Sequence, residues 1–216
     1  MAKPNIAYRR NLPHFHPDGF SIFVTFRLAD SLPVEILAQL KTQREEELKA
    51  IKTNSIDERY NAEKRHFGRY DDWLDRCEHG SHWLQESRIA RIIADKMHEL
   101  DQKSYRLLTY CIMPNHVHLL FEPLHMNLPD HQGKSAKYPV TDMLRLIKGG
   151  TARECNLILK RDGRFWSHES YDHYVRNEGE MARIIRYIIN NPVKAGLEKD
   201  WTDWPYTYAS PEIGRW

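Results

Sequence analysis

Two histidines separated by a single residue, His116 and His118, give this sequence its strongest chemical signal. They begin the run HVHLLFEP, whose β-branched and apolar residues are typical of a strand. Because side chains alternate along a strand, both imidazoles point to one face and Val117 points to the other. Two imidazoles placed in this way can bind one metal ion and leave coordination positions open for a substrate oxygen. The alternative is a pair of solvent-facing histidines on a half-exposed strand.

A tyrosine lies on the last predicted helix, which begins near Glu178 and ends before Pro192. Tyr187 falls at the border of the apolar stripe with which this helix would pack on a sheet, and Asn191 lies one turn further on the same flank. A phenol at that border can reach a cleft and act as a nucleophile. The alternative is an amphipathic boundary tyrosine, with Asn191 as an ordinary helix end before a proline.

Positive charge is concentrated in residues 134–164, although the whole chain has a formal net charge of only +2. This segment holds eight Lys and Arg residues against three acidic residues, which predicts a surface that faces phosphates. A basic helix that merely solvates the domain is the alternative. The candidate DNA-binding residues are Arg145, Lys148, Arg153, Lys160, Arg161 and Arg164, with Arg9 and Arg10 near the N-terminus.

The composition excludes several classes of protein. The 216 residues, 41% of them hydrophobic, are enough for one large domain or two small ones with a buried core. No apolar run approaches the roughly 18 residues of a membrane span, and no secretory signal is evident, so we expect a cytoplasmic protein without a membrane partner. Three widely spaced cysteines argue against a disulfide framework and against a cysteine zinc site. No G-x-x-x-x-G-K loop is present, so ATP is not predicted as a ligand.

The predicted elements follow the order strand, helical insertion, helix, strand, strand, helix, strand, helix. This order predicts an α+β fold with a ferredoxin-like βαββαβ core, an added C-terminal helix that carries Tyr187, and a helical insertion after the first strand. We expect one domain over residues 1–216. Periodicity and Pro or Gly breaks give the bounds as strand 20–28, insertion 34–82, helix 87–100, strands 106–113 and 116–123, helix 141–159 and strand 165–176.

Four stretches of the sequence resemble a known family. The HUH single-tyrosine transposases have a metal-binding strand similar to YCIMPNHVHLLFEP, in which His116 and His118 match the two histidines and Val117 the bulky apolar U. Three further stretches resemble a narrower branch of this family, the REP-associated tyrosine transposases. They are LPHFHPDGFSIFVTFRLADSLP, FWSHESYDHYVRNE and RIIRYIINNPVKAGL. The resemblance covers residues 8–30, 83–122 and 140–198.

The resemblance implies both a fold and a chemistry. Such proteins have a ferredoxin-like core and cleave single-stranded DNA beside hairpins, so single-stranded or hairpin DNA is the expected partner. Tyr187 matches the nucleophile, which would form a 5′-phosphotyrosine link, and His116 and His118 match the metal ligands. Asn191 matches a position that can help to bind the metal, for which Mg²⁺ or Mn²⁺ is expected. Monomeric and homodimeric forms both stay open.

Other functions remain compatible with the same residues. One is a non-catalytic protein that binds hairpin DNA, and another is an RNA-binding domain that uses aromatic residues of a ferredoxin-like sheet. A relaxase or replication initiator of the wider HUH group is a third. Cleavage of a hairpin-bearing single strand would separate the first from a transposase, and preference for RNA would favour the second.

Overall fold

The chain folds around a five-stranded antiparallel sheet with helices on both faces. The computed structural model describes residues 8–9, 13–14, 21–51, 56–124 and 139–213, with the backbone alone at 8–9, 13–14, 56 and 139. The strands are β1 Tyr8–Arg9, β2 Pro13–His14, β3 Ile22–Leu28, β4 Tyr105–Ile112, β5 His116–Pro123, β6 Trp166–Tyr174 and β7 Thr207–Ala209. The helices are α1 Val34–Ala50, α2 Ile56–Asp75, α3 Ser87–Leu100, α4 Pro139–Ile158 and α5 Glu178–Lys194.

The large sheet has the strand order β6-β3-β5-β4-β7. Its first four strands, with α3 and α4, follow the predicted βαββαβ sequence, and the first and third strands of that unit are central. The predicted α+β class is therefore confirmed. The short strand β7 extends the sheet beyond β4 and was not predicted, because three residues are too few for their pattern to identify a strand.

The two faces of this sheet carry separate apolar clusters. Alternation along β3 sends Val24 and Phe26 to one face, where they pack with α3 and α4, and sends Phe23 to the other face. On that second face Phe23 packs with Leu120 of β5 and Ile188 of α5. Among the described helices, none combines the length and the apolar character that a bilayer span requires.

Helices α1 and α2 occupy the segment predicted as an insertion and pack against each other. Their contact includes a two-pronged ion pair, because Arg44 of α1 donates to both carboxylate oxygens of Glu63 of α2 at 2.8 and 2.7 Å. One face of α2 lies toward the sheet. It carries Phe67, Asp71 and Asp75, which are spaced four residues apart. The insertion therefore brings polar side chains to the second face.

The last helix continues past the point where it was predicted to end. Pro192 lies inside α5, and the helix extends to Lys194. A proline removes one N–H donor, but its φ is compatible with a helix. The loss of one hydrogen bond therefore does not end the helix when the next turn forms its own hydrogen bonds. Here the N–H groups of Ala195 and Leu197 donate to the carbonyls of Asn191 and Pro192 at 2.9 Å each. The prediction of a helix end before Pro192 is wrong.

The three cysteines are free thiols in a largely apolar setting. Cys111 and Cys155 are buried and Cys77 is half-buried. Burial raises the pKa of each thiol to about 12, so little thiolate forms near neutral pH.

Gly80 provides a test of how the segment after α2 joins the sheet. Its φ is +70°, and a Cβ at this position would lie 2.0 Å from the Asp30 carbonyl oxygen and 2.9 Å from the Ser31 Cα. Gly196 has a similar φ of +69° but nothing within 4 Å of its Cβ position. We expect Gly80→Ala to lower the free energy of unfolding by about 3 kcal/mol, against about 1 kcal/mol for Gly196→Ala, in urea denaturation. Equal losses would show that the backbone at Asp30 moves aside freely.

Candidate active site

The two histidines predicted as metal ligands lie side by side on the second face of the sheet. His116 and His118 are both 0% exposed, so the alternative of solvent-facing histidines is wrong. Their Nε2 atoms approach to 2.9 Å, with the rings nearly perpendicular at 80°. The predicted alternation explains this geometry, because Val117 between them packs into the core of the opposite face.

Hydrogen bonds behind the imidazoles fix how each ring is presented. The Nδ1 of His116 lies 2.6 Å from the Asn115 side-chain oxygen, which can only accept, so Nδ1 carries a proton and Nε2 is the nitrogen that faces the other three residues. Asn115 is itself oriented, because its amide nitrogen donates to the Leu74 carbonyl at 3.2 Å. The Nδ1 of His118 lies 2.9 Å from the Thr25 hydroxyl. Such outer partners hold metal-binding imidazoles in one orientation.

Two carboxylates from the helical insertion complete this group. Asp75 Oδ1 lies 3.5 Å from His116 Nε2, and Asp71 Oδ1 lies 3.9 Å from His118 Nε2. One ligand atom from each of the four residues lies within 4.8 Å of the others, and all four residues are buried. Sequence reasoning missed both aspartates. Their spacing of four residues, which places them on one helix face, was the signal available.

Burial and charge act differently on the two carboxyl groups. Burial raises the pKa of Asp71 well above its usual range, and the charge of Asp75 raises it further. Burial also acts to raise the pKa of Asp75, but the nearby His116 and Lys194 lower it to about 2. The Lys194 ammonium donates to Asp75 Oδ2 at 2.8 Å. One carboxylate is thus held ionised beside one that needs a further cation to ionise fully.

The tyrosine predicted as nucleophile lies against the same group. The ring of Tyr187 contacts the His118 ring at 5.3 Å between centroids and 69° between planes, and it contacts the Phe23 ring edge-on at 6.1 Å. Its hydroxyl is buried and has no hydrogen-bond partner among the described residues. The Lys194 ammonium lies 5.8 Å from the ring centroid. A half-buried tyrosine with an unpartnered hydroxyl beside two imidazoles differs from an ordinary boundary tyrosine, whose hydroxyl usually finds a partner.

Asn191 lies in the interior, one turn beyond Tyr187. It is 0% exposed, and neither its amide oxygen nor its amide nitrogen has a hydrogen-bond partner among the described residues. A buried amide without partners is unfavourable by roughly 1–3 kcal/mol unless a ligand satisfies it. Its role as a metal ligand stays a prediction.

The predicted DNA-binding residues lie elsewhere. Helix α4 packs on the first face of the sheet, so its basic residues do not join the histidines and Tyr187. Of the six predicted DNA-binding residues after residue 139, the exposed ones are Arg145, Arg153, Lys160 and Arg164. Arg10 lies outside the described residues, and Arg9 is described by its backbone alone.

Two of these basic side chains, Lys148 and Arg161, are half-buried and have partners within the fold. Lys148 donates to the Ser167 carbonyl at 2.9 Å, which ties α4 to β6. Arg161 donates to the Asn156 side-chain oxygen at 2.6 Å, and its guanidinium lies 4.2 Å from the Trp83 ring centroid. Both contacts show that these two cations contribute to packing.

The four-residue group has the composition of a site for a divalent ion. Asp71 Oδ1 and Asp75 Oδ1 are buried and without hydrogen-bond partners among the described residues, so these oxygens have lone pairs to offer. Burial lowers the pKa of His118 well below its usual value, which keeps its imidazole neutral, as a metal ligand must be. Two imidazole nitrogens with carboxylate oxygens suit Mn²⁺, and the carboxylates also suit Mg²⁺.

Comparisons with known proteins point in one direction. The chain is 30% identical over 111 residues to a Haemophilus influenzae protein named as a REP-associated tyrosine transposase. It is 25% identical over 113 residues to the REP-associated tyrosine transposase of Escherichia coli K12. These alignments cover 48% and 52% of this chain and 58% and 59% of the relatives. The predicted relationship to the REP-associated tyrosine transposases is confirmed. No protein-family model matches the chain.

A solved structure of a REP-associated tyrosine transposase is similar in fold to this chain. A solved REP-associated tyrosine transposase, bound to a REP hairpin, aligns with all of this chain and 87% of its own, at a TM-score of 0.53. The two sequences are 16% identical, so this likeness concerns the fold. Since the chain spans about three fifths of the curated REP-associated transposases that it matches, their activity and partners are expectations for it.

The four-residue group can be tested by direct metal binding. We expect Asp71→Asn and His118→Gln each to weaken Mn²⁺ binding by at least about tenfold, because each change removes a ligand while nearly keeping the side-chain shape. The electron paramagnetic resonance signal of free Mn²⁺ measures this without any assay of activity. Asp72→Asn is the matched control, because Asp72 is the next residue of α2 but faces solvent. Affinities equal to that of the control would contradict the site.

Proposed function

We propose that this protein is a metal-dependent endonuclease and strand transferase that cleaves hairpin-bearing single-stranded DNA through Tyr187. The observation that carries the proposal is the contact between the Tyr187 ring and the buried His118, next to His116, Asp71 and Asp75. A nucleophile beside a divalent-ion site is the constellation that phosphodiester cleavage requires.

The four ligand residues set where the scissile phosphate binds. His116, His118, Asp71 and Asp75 would hold Mg²⁺ or Mn²⁺, with Asn191 as a further candidate ligand. The ion supplies Lewis-acid stabilisation of the negative charge that develops on a phosphate oxygen. Because the site is buried among strands and helices, water is restricted around the phosphate and the electrostatic contacts there are stronger than in open solvent.

Tyr187 performs the attack. Its hydroxyl oxygen loses its proton and forms a bond to phosphorus, the bond from phosphorus to the 3′ oxygen breaks, and that oxygen takes up a proton and leaves as a 3′-hydroxyl. The 5′-phosphotyrosine link keeps the bond available for a DNA hydroxyl to reverse or redirect the cut, so no ATP is needed. The hydroxyl has no hydrogen-bond partner among the described residues, so no internal hydrogen bond has to break when it turns toward a phosphate.

We infer that Tyr187 acts on the site of its own chain. Its ring already contacts the His118 ring within one chain, so the proposal needs no tyrosine from a partner subunit. Lys194 supports this arrangement, because it joins the tyrosine helix α5 to Asp75 and Asp72 of α2.

Hairpin DNA is the proposed partner. A solved relative of the same fold is bound to a REP hairpin, and this chain has exposed cations along α4 and the turn after it. We propose phosphate contacts for the exposed Arg145, Arg153, Lys160 and Arg164. The buried ligand group and the unpartnered phenol favour this catalytic proposal over a non-catalytic hairpin-binding protein.

Tyr187→Phe separates the catalytic proposal from simple binding. We expect this variant to lose the covalent protein–DNA adduct on denaturing gels, because the attacking oxygen is removed. It should still bind the same DNA strands as the native protein. The substrates are a panel of hairpin-bearing single strands with Mn²⁺, and mass spectrometry identifies the linked residue. Tyr206→Phe is the control, since Tyr206 packs with the cluster on the opposite face of the sheet. An adduct that persists in Tyr187→Phe would show that another residue attacks.

A further inference from the structure

A cavity of about 250 Å³ lies beside the candidate metal centre, between α1, α2 and strands β3 and β6. Its size is below the roughly 300–1,000 Å³ of pockets that take drug-sized ligands, so it suits one ring system with a short polar attachment. Its lining includes Arg27 of β3, Lys41 of α1, Tyr171 of β6, and His66, Phe67 and Tyr70 of α2.

His66 presents an unused polar atom within this wall. The residue is 8% exposed, and its Nδ1 is buried without a hydrogen-bond partner among the described residues. Burial, with the nearby charges of Arg44 and Arg69, lowers its pKa to about 4, so the ring is neutral near pH 7. A neutral imidazole offers one donor and one acceptor. A bound ligand with a neutral polar edge would satisfy it.

Arg27 contributes a buried positive charge. It is 4% exposed, and its guanidinium donates to the Tyr70 hydroxyl at 2.5 Å, the Leu28 carbonyl at 3.1 Å and the Ser31 hydroxyl at 3.2 Å. Among the described residues no carboxylate lies within ion-pairing distance of it. Buried charges are normally paired, so this cation favours a ligand that carries negative charge.

The remaining charges around the cavity limit how anionic that ligand can be. Arg44 also lines the cavity but is already paired with Glu63. Lys41 adds one positive charge at the exposed side, and Glu45 and Glu169 add two negative charges. The two cations Arg27 and Lys41 are thus matched by two carboxylates. This charge balance suits a single phosphodiester better than a terminal phosphate, which carries close to two negative charges.

Aromatic rings form much of the wall. Phe67 stacks on Tyr171 with 3.7 Å between ring centroids, and the His66 and Tyr70 rings lie 6.5 Å apart. Unpaired nucleobases commonly stack on flat aromatic side chains. Any base can do so, because each has a π-face.

The cavity and the metal centre share two elements. Arg27 pairs with His116 in the β3–β5 register, and Tyr171 pairs with Thr25, whose hydroxyl contacts His118. Tyr171 is thus two strand spacings, or about 10 Å, from His118 along one face. On α2, His66 and Tyr70 face the cavity, while Asp71 and Asp75 face the metal centre.

We propose that this cavity binds one unpaired nucleotide of a single-stranded DNA, close to the nucleotide whose phosphate lies at the metal centre. The base lies against the aromatic rings and His66, and the phosphodiester faces Arg27 and Lys41. The inference rests on the proposed function, because it assumes a DNA strand at that centre.

Photo-cross-linking of the full chain tests the assignment. The probe is an oligodeoxythymidine with one 5-iodouracil, irradiated in complex and digested for mass spectrometry. We expect cross-links to Phe67 or Tyr70. Leu37→Trp, which fills the cavity from α1, should lower their yield about tenfold, in line with the loss of one stacked base. Leu48→Trp, on the same helix but outside the cavity, is the control. A bound strand that never labels α2, or labelling equal in both variants, would overturn the proposal.

A second variant keeps the test decisive if Leu37→Trp does not fold. Lys41 is exposed, so Lys41→Gln leaves the core intact, and Lys49→Gln is its control on the same helix. We expect Lys41→Gln to reduce the slope of log affinity against log salt by about 0.7, the value for one phosphate contact on a single strand. A slope equal to that of Lys49→Gln would contradict the phosphate contact.

Three outcomes separate this inference from its alternatives. Thymidine monophosphate that binds as tightly as the strand, with binding lost in Leu37→Trp, would make the cavity a site for free nucleotides and overturn the strand assignment. Cavity cross-links without a Tyr187 adduct would retain the inference and defeat the catalytic proposal. An adduct with no cavity cross-link would do the reverse.

Discussion

The burial of two carboxylates against two imidazoles is the constraint on which the rest of the site depends. Charges removed from water must be compensated, and Asp75 is held ionised by His116 and by the Lys194 ammonium at 2.8 Å. Among the described residues no Lys or Arg forms an ion pair with Asp71, and burial raises its pKa. A divalent ion would supply the missing positive charge. The charge balance of the four residues and the binding of an ion are therefore linked, since the buried carboxylates that are unfavourable alone become favourable together with a divalent ion.

Local rules of the chain account for much of the fold and for half of the site. The apolar period of α3 predicts its bounds as the structure has them, Ser87–Leu100. Strand alternation predicts that His116 and His118 share a face, and the helical period places Tyr187 on the flank of α5 that meets them. Each of these features follows from a sequence pattern that involves only residues a few positions apart.

The other half of the site depends on contacts between distant parts of the chain. Asp71 and Asp75 lie more than forty residues before the histidines, in a charged helix whose aspartates look like any solvated face. What brings them inward is the packing of Phe67 on Phe23 and Tyr171, which turns one face of α2 toward the sheet. The course of α5 past Pro192 is likewise a tertiary effect, because Lys194 reaches Asp72 and Asp75 only if the helix continues.

This last contact has a consequence for how the nucleophile is placed. Tyr187, Asn191 and Lys194 are spaced so that all three lie on one flank of α5, and Lys194 joins that flank to the helix that carries the two carboxylates. The orientation of the phenol and the position of the carboxylates are then set by the same ion pair. In a ferredoxin-like core without α1 and α2, the imidazoles would keep their strand but lose both carboxylates and the anchor of Lys194. Such a core would need ligands from α5 itself, where the buried and unpartnered amide of Asn191 is the nearest candidate in sequence to the tyrosine.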